Sequence, residues 1–167
     1  MTRTRPLASL PISDALTFRA DSSLQMRSLG RLLGSLLRVG DVVGLEGPLG
    51  AGKTTLTQGV AQGLGVPAER HVASPSFALV NEHPGRLPLV HADFYRLRNA
   101  GELAELGLDE IFERAATVIE WVDLFPEAVP PDHLHIVIAA AEPDGARLLT
   151  VVARGPRSTE LLHALAE

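Results

Sequence analysis

The residues best suited to chemistry are a lysine and a threonine at the end of a glycine-rich octapeptide. Gly47-Pro48-Leu49-Gly50-Ala51-Gly52-Lys53-Thr54 satisfies every fixed position of the phosphate-loop pattern G-x-x-x-x-G-K-[ST]. Glycines at 47, 50 and 52 free the backbone to turn successive N–H groups inward, towards a β-phosphate at a helix N-terminus. In this pattern Lys53 bridges β- and γ-phosphates, and the Thr54 hydroxyl takes one position on an octahedral Mg²⁺. Of the 15 Lys and Arg residues, Lys53 is the single lysine. That choice suits a site where a compact ammonium is needed and the wide guanidinium fork is not.

A phosphate loop also needs an acid at the carboxyl end of a neighbouring strand, within reach of Mg²⁺ or its water. Two positions qualify: Asp93 after Leu89-Val90-His91-Ala92, and Glu120 after Thr117-Val118-Ile119, just before the only tryptophan, Trp121. Each taken alone could instead cap a helix or pair with an arginine. Lys53, Asp93 and Glu120 are thus the candidate catalytic groups. Ser74-Pro75-Ser76 stands where a γ-phosphate sensor would lie, although serines in a turn also bond local backbone. Arg96 and Arg98 could neutralise transition-state charge, and His91 reads as a structural hydrogen bonder.

These groups have to be held by regular elements. Asp21, Ser22 and Ser23 offer N-cap oxygens to a helix carrying Leu24, Leu29, Leu32, Leu33, Leu36 and Leu37 and ending near Gly40. Asp41–Glu46 reads as a short strand that runs directly into the phosphate loop. Leu56, Val60 and Leu64 mark the following helix, which Gly65 and Pro67 end. Phe77–Val80 and Leu87–Ala92 read as a hairpin, Glu102–Arg114 as one acidic helix, and Thr117–Trp121, Leu134–Ala140 and Arg147–Ala153 as strands. A short edge strand at Ala15–Arg19 and a final helix over about 158–166 complete the set. The pattern is α/β: a P-loop NTPase-like three-layer fold with a mixed, mainly parallel central sheet. Residues 1–14, with two prolines and no periodicity, read as a flexible leader, and residues 15–167 as a single domain.

Composition narrows the alternatives. At 167 residues the chain can bury one core, and with no cysteine it has no thiolate metal site or disulfide. No stretch approaches the ~20 apolar residues of a membrane span, so no membrane role and a cytoplasmic location are expected. A net charge of -5 without a basic cluster argues against DNA and against wide direct contact with RNA.

Taken in order, Leu49–Thr55, Ser74-Pro75-Ser76-Phe77, His91–Leu97, Glu102-Leu103 with Leu106-Gly107, and Ile119-Glu120-Trp121 resemble the TsaE (YjeE) family. This is the ATPase of bacterial tRNA threonylcarbamoyladenosine synthesis, and the likeness covers roughly residues 15–153. It implies ATP and Mg²⁺ as ligands, with Gly47, Leu49, Gly50, Ala51, Gly52, Lys53, Thr54 and Thr55 on the nucleotide, and Thr54 and Glu120 on Mg²⁺. It leaves Asp93 to orient water or a group just outside the direct Mg²⁺ ligands, makes Ser74 and Ser76 a switch loop, and brings Phe18–Ala20 and Arg147 towards the adenine or ribose. Ser76 stands where threonine is usual, and Pro48 where an acid is common. The implied partners are TsaD and TsaB, with tRNA reached indirectly through their complex. The implied activity is a weak ATPase, activated by those partners, that drives or resets them. Two other functions fit the residues: a small nucleoside or metabolite kinase, which lacks an arginine-rich lid here, and a nucleotide-gated binding module without turnover. A guanine-reading Asn-Lys-x-Asp motif is impossible because the only lysine lies in the phosphate loop.

Overall fold

The computed structural model describes residues 2–4 (backbone only), 15–75, 79–141 and 144–167. Among the described residues eight strands form one sheet: β1 (Thr2–Thr4), β2 (Ala15–Ala20), β3 (Val42–Glu46), β4 (Val80–His83), β5 (Leu89–Asp93), β6 (Ala116–Glu120), β7 (Leu134–Ala141) and β8 (Ala146–Ala153). Their spatial order is β1-β2-β8-β7-β3-β6-β5-β4. The centre is parallel, with β3 between β6 and β7 and β5 beside β6, while β4, β8, β2 and β1 add antiparallel flanks.

The alternation of side chains along these strands divides the core between two faces. Val43, Leu45, Val118 and Leu89 pack under α1 (Ser23–Leu36), α2 (Lys53–Gly63) and α5 (Pro156–Leu165). Val42, Ile119, Val90 and Phe94 pack under α3 (Ala100–Glu105), α4 (Leu108–Arg114) and two short 3-10 turns. The result is the three-layer arrangement expected, with the strand that feeds the phosphate loop at its middle.

Several boundaries differ from expectation. The single helix over Glu102–Arg114 is two helices, because Gly107 adopts a left-handed φ of 66° between them and no continuous hydrogen-bond ladder crosses that point. The strand expected at the edge, β2, lies between β1 and β8, since the backbone of Thr2–Thr4 pairs with Ala15–Thr17. That pairing falls in the stretch read as a leader; residues 1 and 5–14 lie outside the described residues, as do 76–78 at the start of the expected hairpin. In α1, Ser22 is the cap that accepts from the Gln25 amide. Its buried face is Met26, Gly30, Leu33 and Gly34, while Leu24 and Leu32 face solvent.

The start of α5 is held from a distance. Gly155 has no side chain with which to cap it, and a Cβ there would lie 2.5 Å from the carboxyl carbon of Asp132. Asp132 uses that space, accepting the Ser158 amide at 2.9 Å and the Arg157 amide at 2.8 Å. Burial pushes its carboxyl up, but these two N–H donors outweigh it and the net shift is down from the ordinary 3.8. A carboxyl with a lowered folded pKa stabilises fully at neutral pH, and loses that stabilisation as pH falls through 3.8 towards the folded value. Asp132→Asn should therefore lower the melting temperature at neutral pH and flatten its decline on the acid side. Parallel pH dependences in the two proteins would refute this.

Candidate functional site

The phosphate loop leaves the carboxyl end of β3 and enters α2. Gly50 (φ 79°) and Gly52 (φ 107°) supply left-handed turns, and a Cβ on Gly47 would meet the Ile138 carbonyl at 2.7 Å. Gly52 gives α2 no side-chain cap, so the first N–H groups of the helix are left for a ligand. They open on a cleft of about 440 Å³ lined by Gly50, Gly52, Lys53, Thr54, Asp93 and Glu120.

The parallel register brings the two candidate acids side by side: Asp93 pairs with Glu120, and Glu120 with Leu45, at the ends of adjacent strands. Thr54 Oγ1 donates to Glu120 Oε1 at 3.0 Å. Ser74 Oγ lies 2.8 Å from Glu120 Oε2, 3.0 Å from Asp93 Oδ2 and 3.1 Å from Thr54 Oγ1. Having one proton, Ser74 can serve only one carboxylate at a time. The Tyr95 amide donates to Asp93 Oδ1 at 2.9 Å. Burial pushes the Glu120 carboxyl up, but hydrogen bonds from His91, Ser74 and Thr54 reverse this and hold it below its ordinary value.

Lys53 is 5% exposed. Its Nζ donates to the Gly47 carbonyl at 2.6 Å and the Pro48 carbonyl at 2.9 Å, and lies 4.1 Å from the centre of the Trp121 ring. Burial lowers the ammonium pKa, against the attraction of Glu120, Asp93 and Asp123. Trp121 reaches over Lys53 because β6 ends at Glu120 and the next residue turns left-handed, with φ 59°. Tyr95 packs against the same indole at 4.8 Å.

The structure thus brings together Lys53, Thr54, Ser74, Asp93 and Glu120, while Ser76 lies outside the described residues. Arg147 pairs with Ala20 across β8 and β2, and donates to the carbonyls of Ala51 at 3.1 Å and Gly50 at 3.3 Å. Together with Ala20, Ser22 and Thr55 it lines a second cleft, of about 270 Å³, on the other side of the loop. Two contacts were not foreseen from the sequence: the indole over Lys53, and the bond from His91 to Glu120. A strand period of two puts His91 and Asp93 on one face, which was the available signal for the second.

Among the described residues no group of three or more His, Asp or Glu side chains is placed to hold a metal unaided. The donors at the cleft are two hydroxyls and two carboxylates, a hard-oxygen set suited to a small cation that keeps water and phosphate oxygens as its other ligands. Mg²⁺ fits that set, in which the Glu120 carboxylate lies within 3.0 Å of both the Thr54 and the Ser74 hydroxyls. No helix among the described residues is long and apolar enough to cross a membrane.

Comparison with known proteins bears on this arrangement. Residues 20–148 match the family model for threonylcarbamoyl adenosine biosynthesis protein TsaE. A tRNA threonylcarbamoyladenosine biosynthesis protein TsaE of Bacillus subtilis is 40% identical over 90% of this chain and 93% of its own length. One from Streptomyces coelicolor is 44% identical over 79% and 93% respectively. The crystal structure of Bacillus subtilis YdiB superposes with a TM-score of 0.81 at 36% identity, covering 94% of this chain and 97% of that one. With a family match over most of the sheet and relatives aligned along nearly their whole length, the chain belongs to the TsaE family.

Proposed function

We propose that this protein binds Mg-ATP in the 440 Å³ cleft and hydrolyses it slowly, and that turnover drives or resets a TsaB-TsaD complex. Its family acts in tRNA threonylcarbamoyladenosine biosynthesis, and the chain's role lies in that pathway. On this reading it works in the cytoplasm and reaches tRNA only through its partners. The observation that carries the proposal is the contact of Thr54 with Glu120 beside the buried Lys53, at the open end of a phosphate-loop helix.

The residues divide the work as follows. The uncapped first turn of α2 and the loop amides bind the phosphates, and Lys53 steadies the β- and γ-oxygens. Thr54 and Glu120 would hold Mg²⁺, which when bound supplies positive charge to the phosphate oxygens. Asp93, with one oxygen fixed by the Tyr95 amide and the other next to Ser74, orients the attacking water. That water bonds to the γ-phosphorus as the bond to the β-bridging oxygen breaks, and its proton leaves towards Asp93. Ser74, within reach of both carboxylates and Thr54, is the group best set to register whether the γ-phosphate is present.

Phosphate release by the purified chain should be slow, and should rise at least about tenfold when TsaB and TsaD complete the site. Absence of nucleotide binding in calorimetry, or phosphorylation of a nucleoside acceptor in place of partner-stimulated release, would refute the assignment.

A further inference from the structure

His91 is 0% exposed at the middle of β5, which lies between β4 and β6 in the sheet. Its Nε2 lies 2.5 Å from Glu120 Oε2. Because β5 and β6 run parallel with Asp93 opposite Glu120, the side chains of His91, Asp93 and Glu120 share the sheet face covered by α2. His91 therefore stands directly behind the carboxylate that Thr54 meets from the front. An ionised carboxylate only accepts, so the ring proton belongs on Nε2. Nδ1 is then left as a buried acceptor with no partner among the described residues.

A residue chosen for stability at this point would be apolar, like its neighbours Val90 and Ala92, and would leave no acceptor stranded. What a hydrocarbon cannot do is donate to Glu120. The two oxygens of that carboxylate differ in their partners: Oε2 sits between His91 at 2.5 Å and Ser74 at 2.8 Å, with Thr54 farther off at 3.3 Å, while Oε1 has Thr54 alone, at 3.0 Å.

We propose that His91 is a positioning residue: its Nε2–H anchors one oxygen of Glu120 so that the other is presented beside Thr54 as a ligand for Mg²⁺. The inference rests on the Mg-ATP reading above and adds to it the group that fixes the orientation of the ligand. Hydrogen-bond partners of metal ligands commonly change metal affinity about 10- to 100-fold when removed.

The test uses the full chain carrying His91→Gln, His91→Asn or His91→Leu. Glutamine can put an amide N–H where Nε2 stood, whereas asparagine reaches only to the position of Nδ1. ADP affinity is measured by calorimetry with EDTA and across a Mg²⁺ titration, and the Mg²⁺ concentration for half-maximal ATP turnover is measured with TsaB and TsaD present. All three variants should bind ADP in EDTA as the parent does, because the loop amides are untouched. His91→Asn and His91→Leu should need at least about tenfold more Mg²⁺, and His91→Gln should stay within about threefold of the parent. An unchanged Mg²⁺ requirement in folded His91→Asn overturns the proposal, and so does His91→Gln as impaired as His91→Asn. If His91→Leu does not fold, the comparison of glutamine with asparagine decides alone. A parent chain whose nucleotide binding ignores Mg²⁺ refutes the Mg-ATP reading itself, a result distinct from either of these.

Discussion

Lys53→Arg is expected to reduce ATP turnover at least about 100-fold, as deeply as Lys53→Ala, although it keeps the charge. The ammonium occupies a space bounded by two carbonyl oxygens, at 2.6 and 2.9 Å, and by an indole whose centre is 4.1 Å away. A guanidinium is planar and several atoms wider, and has no room there without displacing the Gly47-Pro48 backbone or Trp121. Glu120, Asp93 and Asp123 attract the lysine charge, and arginine would satisfy them equally well at longer range. Charge alone therefore predicts tolerance of arginine, and geometry predicts none. The rest of the chain uses arginine for every other basic position, which makes the substitution the natural control. Thermal unfolding should stay within a few degrees of the parent, since the strands and the core of α2 are unaffected. Calorimetry should find weaker ATP binding in both variants. Lys53→Arg retaining more than about a tenth of parental phosphate release would mean that charge, and not the shape of this enclosure, is what the loop requires.

How much of this could be read in advance depends on how local each feature is. The phosphate loop was legible because its spacing is contiguous, and Asp93 and Glu120 because each closes an apolar strand. Their meeting was not, because it depends on the register of β5 against β6, which no single segment encodes. The same holds for the bond from His91 to Glu120 and for the position of Ser74 between two carboxylates. Fold class followed from the alternation of strand and helix patterns, whereas the break at Gly107 was missed because an isolated glycine inside a helical pattern is often tolerated. In α1 the leucines marked the helix but not its packing face: Leu24 and Leu32 face solvent, while Gly30 and Gly34 lie on the buried side. Hydropathy cannot reveal a face that is buried because it has no side chains.

That glycine face sets the second large effect. Gly30 and Gly34 of α1 lie against Gly59 and Gly63 of α2, and the helices approach backbone to backbone. A Cβ on Gly34 would stand 2.2 Å from the Val60 carbonyl oxygen and 3.0 Å from the Gly63 Cα. One on Gly59 would stand 2.3 Å from the Arg27 carbonyl oxygen. The obstructing atoms are backbone, so no rotamer change relieves them and the helices have to separate. Overpacking of this kind costs about 1–3 kcal/mol and sometimes more, which exceeds the ~0.5–1 kcal/mol that alanine gains over glycine inside a helix. Gly34→Ala and Gly59→Ala should each lose about 2–3 kcal/mol, a fall of roughly 4–12 °C in melting temperature for a domain of this size. Ser35→Ala, on the exposed side of α1, should change stability by less than about 0.5 kcal/mol. Because α2 carries Lys53 and Thr54 at its N-terminus, displacing it should also weaken ADP binding in the two glycine variants and not in the serine one. A Gly34→Ala protein that melts at or above the parental temperature would mean that α1 and α2 can part without loss, and that their close approach plays no part in holding the phosphate loop.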